Sequence, residues 1–215
     1  MGKTRIVIAD DHDIVRHGVR SLLEAENWEV AGEYSTGRDA VEGVEKLRPD
    51  VAVLDISMPD LNGVEATQQI LKASPDIKVI VMTMHDSEEL AKRVLEAGAR
   101  GYVLKSEAAR DLCNAVKSVL KGQPFFSGKI SEMLLRGYLA GPNQTAAESV
   151  PSLTPREREV VQLLAEGKSS KEVASVLGTS PATVETQRAK IMQKLDLHSV
   201  TDLVRYAIRN HIIEA

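Results

Sequence analysis

The sequence has a single cysteine, few aromatic residues and no long hydrophobic run. Cys113 cannot form a disulfide within one chain, which fits a reducing compartment. Aromatic residues make up 3% of the 215 residues, so the hydrophobic cores must be mainly aliphatic. No apolar stretch approaches the roughly 20 residues of a membrane span, and the apolar stretch near the start is too short for a signal peptide. We therefore expect a soluble cytoplasmic protein with no membrane partner.

A strong excess of positive charge is also missing, although charge is divided unevenly along the chain. Residues 150–215 contain nine Lys/Arg and eight Asp/Glu, whereas residues 1–149 contain 18 basic and 23 acidic residues. The last part is thus nearly neutral, and a nucleic-acid partner must be argued from a local patch instead of net charge. The length suits two domains of ordinary size.

Short apolar runs occur at regular intervals in the first half of the sequence. The runs RIVIA, VAVLD, KVIVMT and GYVLK are rich in Val and Ile, and amphipathic stretches of helix length separate them. This pattern is typical of strands buried on both faces of a parallel sheet. With a further run at 29–34, it predicts an α/β fold, a flavodoxin-like doubly wound five-stranded parallel sheet. Asp13 is expected to cap the first helix.

Polar residues at the ends of these runs are expected to meet in one crevice. In an open parallel sheet the ligand site lies beyond the carboxyl ends of the strands. The residues at these ends are Asp10, Asp11, Asp55, Thr83 and Lys105. Carboxylate oxygens suit Mg²⁺, and a metal together with a lysine would offset the charge of a phosphoryl group. The set therefore predicts a phosphoryl-acceptor site with an aspartate nucleophile.

Each of these residues also has an ordinary structural interpretation. Asp10 or Asp13 alone could cap a helix, and Thr83 alone could simply end a strand. Lys105 alone could be a solvated surface lysine. Their occurrence together at successive strand ends favours the functional interpretation of the set.

Residues 4–121 resemble the receiver domain of two-component response regulators, through the motifs IVIADDH, VLDISMPDLNGVE and GARGYVLK. The resemblance implies that Asp55 accepts a phosphoryl group from a histidine kinase and that Lys105 pairs with the phosphate. It implies that Thr83 is the switch hydroxyl and that the ring of Tyr102 turns inward when Thr83 moves. The implied Mg²⁺ ligands are Asp10, Asp11, Asp55 and the backbone carbonyl of Ser57.

Residues 122–149 are predicted to connect two domains. Gln123-Pro124 breaks the preceding helix, and helical spacing returns from Ile130 to Leu139. The segment that follows, to Ser152, is polar, contains Pro and Gly and has no periodicity. We expect a linker helix followed by a flexible tether.

Residues 150–215 are predicted to form a small all-α domain of four helices. Thr154 or Ser152 is placed as the N-cap of the first helix, and Ser180 and Ser199 as N-caps of the third and fourth; Thr154 and Ser180 directly precede a proline. A short helix from Ser170, a turn containing Gly178 and a longer helix after Ser180 give the spacing of a helix-turn-helix.

The third of these helices, from Ser180 to Leu195, has an apolar face and a polar face. Val184 and Ile191 lie on the inward stripe at 100° per residue. The opposite face has small or hydrogen-bonding residues, and the helix carries a net charge of +2, so it could enter a major groove. A solvated face on a protein-interaction module is the alternative, and this face alone does not decide between them.

Residues 153 to about 213 resemble the LuxR-type helix-turn-helix domain, through the stretch LTPREREVVQLLAEGKSSKEVASVLGTSPATVETQRAKIMQKL. Together with the receiver-like residues 4–121, this makes the chain resemble a NarL/FixJ-type response regulator over nearly its whole length. The resemblance implies that its fourth helix lies at a dimer surface, although the apolar face of that helix must also cover the domain core. Gln187 stands where His is frequent, which leaves the target sequence open. The expected DNA contacts are Glu185, Thr186, Ala189, Lys190, Gln193 and Lys194.

The sequence thus predicts a transcriptional regulator that is switched by Mg²⁺-dependent phosphorylation of Asp55 and that binds double-stranded DNA as a homodimer. A phosphorylation-controlled regulator that binds proteins and not DNA is the alternative. An enzyme is not expected, because a phosphohydrolase with an Asp nucleophile would need a second carboxylate where Ser57 stands.

Overall fold

The structure is a computed structural model that describes residues 2–128, 130–133 and 153–214. It divides into two compact units, Met1–Gly141 and Pro142–Ala215. The expected tether and most of the expected linker helix lie outside the described residues. Within the described ranges, no helix is both long enough and apolar enough to cross a membrane.

The first unit is a parallel sheet with helices on both faces. Its strands are β1 Arg5–Ala9, β2 Glu29–Tyr34, β3 Val51–Asp55, β4 Lys78–Thr83, β5 Gly101–Leu104 and β6 Phe125–Phe126. Its helices are α1 Asp13–Ala25, α2 Gly37–Leu47, α3 Gly63–Ala73, α4 Glu88–Glu96 and α5 Ala108–Leu120. The strand order is β2-β1-β3-β4-β5-β6, and every neighbouring pair is parallel. The predicted doubly wound architecture is confirmed.

Successive residues of each central strand are buried on opposite faces of the sheet. In β3, Val51 and Val53 belong to the core packed by α1 and α5. Ala52 and Leu54 belong to the core packed by α2, α3 and α4. All of β3 is buried, which explains why its sequence is continuously apolar instead of alternating.

The sheet has six strands where the sequence predicted five. The sixth, β6, pairs with the first two residues of β5. Ser127 follows it and is fully buried: its amide donates to the carbonyl of Tyr102 at 3.0 Å, and its hydroxyl accepts from the amide of Leu104 at 3.1 Å. Two phenylalanines are too short a run to show a strand period, so no sequence pattern indicated this strand.

The expected cap of the first helix is wrong. His12 occupies the N-cap position of α1 without a side-chain hydrogen bond, and Asp13 is the first helical residue. Asp13 forms an ion pair with Arg16. The turn before α1 is held by Asp10 instead, whose carboxylate accepts from the amide of His12 at 2.9 Å.

Within residues 153–214, the second unit forms four helices, α6 Pro155–Ala165, α7 Ser170–Val176, α8 Pro181–Lys194 and α9 Val200–Arg209. Of the two candidates for the first cap, Thr154 is the N-cap and forms a capping box with Glu157. The expected caps Ser180 and Ser199 are confirmed, since each side chain accepts a hydrogen bond from a backbone amide of the following first turn. Gly178, with φ +61°, allows the tight turn between α7 and α8. These helices enclose an aliphatic core that includes Val160, Val184, Ile191 and Leu203.

Candidate functional site

The carboxyl edge of the sheet brings together charged residues from three strands. Asp10 follows β1, Asp55 ends β3 and Lys105 follows β5. The ammonium of Lys105 lies 2.8 Å from a carboxylate oxygen of Asp10 and 2.8 Å from one of Asp55. Both carboxylates are almost fully buried. A lysine thus bridges two buried carboxylates where strand-end residues were expected to meet.

Three carboxylates and one imidazole at this edge could hold a metal ion. Ligand atoms of Asp10, Asp11, His12 and Asp55 all lie within 4.8 Å of one another. Oxygen donors of this kind fit the preference of Mg²⁺, so the donor set suits the ion that the sequence implied. His12 was not among the predicted ligands, although its position directly after the acidic pair was a signal for it. Ser57, whose carbonyl was expected to complete the set, is half-buried two residues beyond Asp55.

The rim of the site depends on a close approach between β3 and α3. A Cβ atom added at Gly63 would lie 2.0 Å from the carbonyl oxygen of Asp55, so only glycine fits there. The amide of Gly63 donates to the carbonyl of Ile56 at 2.8 Å. The side chain of Asn62 caps α3 by accepting from the amide of Val64 at 2.9 Å. Asn62-Gly63 therefore fixes the loop after Asp55.

Burial is the largest cause of the shifted pKa of Asp55. Together with the nearby charge of Asp10, it raises the pKa of Asp55 to about 6, although Lys105 acts in the opposite direction. Burial would lower the pKa of Lys105, but the carboxylates of Asp55 and Asp10 outweigh it and the pKa is raised. The site therefore contains more negative charge than one lysine can offset, which favours a divalent cation.

The raised pKa of Asp55 predicts a specific pH dependence of stability. A carboxyl group whose pKa is higher in the folded state stabilises the fold fully when the pH is below its pKa in the unfolded state. This stabilisation is lost as the pH rises through its pKa in the folded state. Relative to wild type, Asp55→Asn in chelating buffer should gain about 2 kcal/mol of unfolding free energy between pH 4 and pH 7. Urea unfolding, followed by the fluorescence of the single tryptophan, Trp28, measures this difference. Asp76→Asn, which removes an exposed carboxylate from the same unit, is the matched control for the loss of one charge. A difference between Asp55→Asn and wild type that stays constant with pH would contradict the assigned cause.

Thr83 and Tyr102 are linked through the backbone of one residue. The hydroxyl of Thr83 accepts from the amide of His85 at 3.1 Å, and the hydroxyl of Tyr102 donates to the carbonyl of His85 at 2.9 Å. The ring of Tyr102 is fully buried, and its inward turn on movement of Thr83 stays a prediction. The backbone of His85 is thus held by the hydroxyls of both Thr83 and Tyr102.

The outward face of α8 is the candidate nucleic-acid surface of the second unit. Five of the six expected contacts are exposed, namely Glu185, Thr186, Ala189, Lys190 and Gln193. The sixth, Lys194, is half-buried, and its ammonium lies 2.8 Å from the carboxylate of Glu157 on α6. The hydroxyl of Thr186 donates to the carbonyl of Ala182 at 2.9 Å, and its oxygen can still accept a hydrogen bond. Lys190 is therefore the exposed cation of this face.

The fourth helix of the second unit, α9, was expected to lie at a dimer surface, but most of its apolar face is buried in its own unit. Leu203 and Ala207 of α9 are buried in the core of the second unit. Val200, at the start of α9, is 49% exposed. The apolar face of α9 thus covers its own core first, and a small part of it remains for other contacts.

Two family profiles match the two units. Residues 6–117 match the response regulator receiver domain, and residues 151–207 match the bacterial regulatory proteins of the luxR family. These ranges correspond to the sheet unit with its carboxylate–lysine site and to the four-helix unit containing α8.

Relatives are similar over nearly the whole chain. The transcriptional regulatory protein DegU of Brevibacillus brevis is 38% identical over 97% of this chain and 94% of its own length. LiaR of Bacillus subtilis is also 38% identical, over 97% and 99%. Among solved structures, RcsB of Salmonella typhimurium has a TM-score of 0.66 at 31% identity, covering 96% of this chain and 97% of that one. An RcsB–DNA complex has a TM-score of 0.59 at 30% identity, covering 95% and 98%.

Proposed function

The chain belongs to the NarL/FixJ-type response regulators and is a two-component regulator with a LuxR-type DNA-binding domain, and from this premise we propose that phosphorylation of Asp55 controls its affinity for DNA. The observation that carries the proposal is the lysine bridge: Lys105 lies 2.8 Å from both Asp55 and Asp10 at the carboxyl edge of the sheet. A phosphoryl group on Asp55 would meet that ammonium directly.

Asp10, Asp11 and Asp55, with the backbone carbonyl of Ser57, would hold Mg²⁺. When bound, the ion would offset the negative charge that gathers as a phosphoryl group approaches a carboxylate. One carboxylate oxygen of Asp55 forms a bond to phosphorus while the phosphorus–nitrogen bond to the donor histidine of a kinase breaks. Lys105 then pairs with the new phosphate oxygens, since its ammonium already lies within hydrogen-bond distance of Asp55.

The phosphate gives Thr83 a new hydrogen-bond acceptor. A hydrogen bond donated to the phosphate would draw the Thr83 hydroxyl away from the amide of His85. That hydroxyl now accepts a hydrogen bond from this amide at 3.1 Å. Because Tyr102 holds the carbonyl of the same residue, the segment between β4 and α4 would move with it. The charge change at Asp55 would thus reach the surface formed by α4 and β5.

The output of this switch is DNA binding by two copies of the chain. The outward face of α8 offers hydrogen-bonding side chains and the exposed cation Lys190 to a major groove. Two linked copies would engage two half-sites, with a raised effective concentration for the second contact. Nothing in this scheme requires the chain to release a product, so we expect a regulator and not an enzyme.

Removing one metal ligand tests the metal dependence of this function. Asp11→Asn should accept a phosphoryl group from acetyl phosphate roughly tenfold more slowly than wild type, or slower still. The rate in this variant should no longer depend on the Mg²⁺ concentration. The rate, measured by intact-mass spectrometry during a Mg²⁺ titration, gives the result. Asp13→Asn is the matched control, because Asp13 pairs with Arg16 and is not part of the acidic cluster. Identical Mg²⁺ dependence in Asp11→Asn and wild type would show that the acidic pair has been misassigned.

A further inference from the structure

His12 lies inside the acidic site, although neither the sequence motifs nor the proposed mechanism gives it a role. Its Nδ1 atom lies 2.7 Å from a carboxylate oxygen of Asp11 and 3.3 Å from one of Asp10. These contacts place an imidazole nitrogen directly beside two of the carboxylates proposed to hold the metal.

The donor atoms are slightly more spread than the coordination shell of a single ion and would have to draw together by a few tenths of an ångström to share one. All four donor groups lie within 4.8 Å of one another. Ligands at about 2.1 Å from a divalent ion lie about 3 Å apart when adjacent and about 4.2 Å apart when opposite. The Nδ1–oxygen distances are close to the adjacent value, so small side-chain adjustments would allow one ion to contact the imidazole together with Asp11.

The backbone holds His12 at this position. Its amide donates to Asp10 at 2.9 Å, and its carbonyl accepts from the amide of Arg16 in the first turn of α1. The side chain is 56% exposed, so the ring can turn toward an ion without displacing core residues. A neutral imidazole would add a donor atom without altering the charge of the carboxylates.

We propose that His12 is a direct ligand of the ion bound by Asp11 and Asp55, and that it makes the site prefer ions that accept imidazole nitrogen, such as Mn²⁺ or Co²⁺, over Mg²⁺. Mg²⁺ favours an all-oxygen shell, whereas later first-row divalent ions bind mixed nitrogen and oxygen sets more tightly. The inference rests on the proposed metal site and adds to it a residue that determines ion preference.

Mn²⁺ is the probe that tests this assignment in the full-length protein. Electron spin-echo spectroscopy of bound Mn²⁺ detects the ¹⁴N nucleus of a coordinated imidazole. Wild type should show this coupling and His12→Gln should lack it, with Mn²⁺ affinity lowered at least about tenfold and Mg²⁺ affinity lowered by a smaller factor. His17→Gln is the matched control, because His17 is exposed on α1 and contacts the carbonyl of Asp13 instead of the acidic site.

The possible results separate this inference from the function on which it rests. Mn²⁺ that binds in an Asp11-dependent manner but shows no nitrogen coupling overturns the role of His12 and leaves the metal site intact. His12 would then act only as a hydrogen-bond partner of Asp11. Mn²⁺ binding that is absent, or is unaffected by Asp11→Asn, overturns both the ligand assignment and the proposed metal site.

Discussion

Asp55→Asn is expected to accept no phosphoryl group from acetyl phosphate and Mg²⁺, whereas wild type accepts one. Asparagine has nearly the shape of aspartate but lacks the carboxylate oxygen that attacks phosphorus. The same variant should lose the phosphorylation-dependent gain in DNA affinity, which for an allosteric coupling of ordinary strength is roughly 5- to 150-fold. Intact-mass spectrometry measures the first effect, and fluorescence anisotropy on a selected DNA site measures the second.

Asp60→Asn is the matched control for this experiment. Asp60 lies in the rim loop five residues after Asp55 and has φ +67°, a backbone conformation that asparagine also adopts readily. It should be labelled like wild type. Equal labelling of Asp55→Asn and wild type would place the acceptor elsewhere. Normal labelling of wild type without any change in DNA affinity would leave the acceptor assigned and remove the switch.

The second large effect is expected at the exposed face of α8. A Thr186→Ala, Lys190→Ala, Gln193→Ala variant should lose sequence-specific binding, at about 1–3 kcal/mol for each base contact removed. All three side chains are exposed, so the core of the second unit should be unchanged. Anisotropy titrations with phosphorylated protein on selected and unrelated DNA sites measure both affinity and preference.

Single variants separate the contributions of this face. If Lys190 contacts a phosphate, Lys190→Ala should lower the slope of log affinity against log salt by roughly one unit. Arg209→Ala removes an exposed cation from α9 and should leave that slope nearly unchanged. A triple variant that binds the selected site as tightly and as selectively as wild type would exclude α8 as the recognition helix.

Features with a repeating pattern or a local signature could be predicted from sequence. Strand β3 could be predicted because its sequence is almost continuously apolar. Helix α6 could be predicted because Thr154, Pro155 and Glu157 form a capping signature at its start. The meeting of Asp10 with Lys105 followed from their positions at the ends of parallel strands.

Features that depend on a single side chain or on distant contacts could not be predicted. Lys194 counts toward the basic charge of its helix, but the structure pairs it with Glu157, 37 residues earlier in the chain. Helical periodicity gives the face on which a residue lies and not the partner that another helix presents. His12 differs from Lys194, because its position directly after Asp10 and Asp11 was a sequence signal, and only the 2.7 Å contact of its Nδ1 atom with Asp11 depends on the turn after β1.

The two-residue strand β6 has a consequence for how the sheet meets its surroundings. It covers the outer edge of β5, and Ser127 satisfies the amide of Leu104 where the pairing ends. A fragment that stopped at Lys121 would leave β5 as a bare, wholly apolar edge strand, and such edges are templates for pairing between molecules. We therefore expect Phe125–Ser127 to reduce edge-to-edge association, and a receiver fragment that retains these residues should aggregate less than one that stops at Lys121.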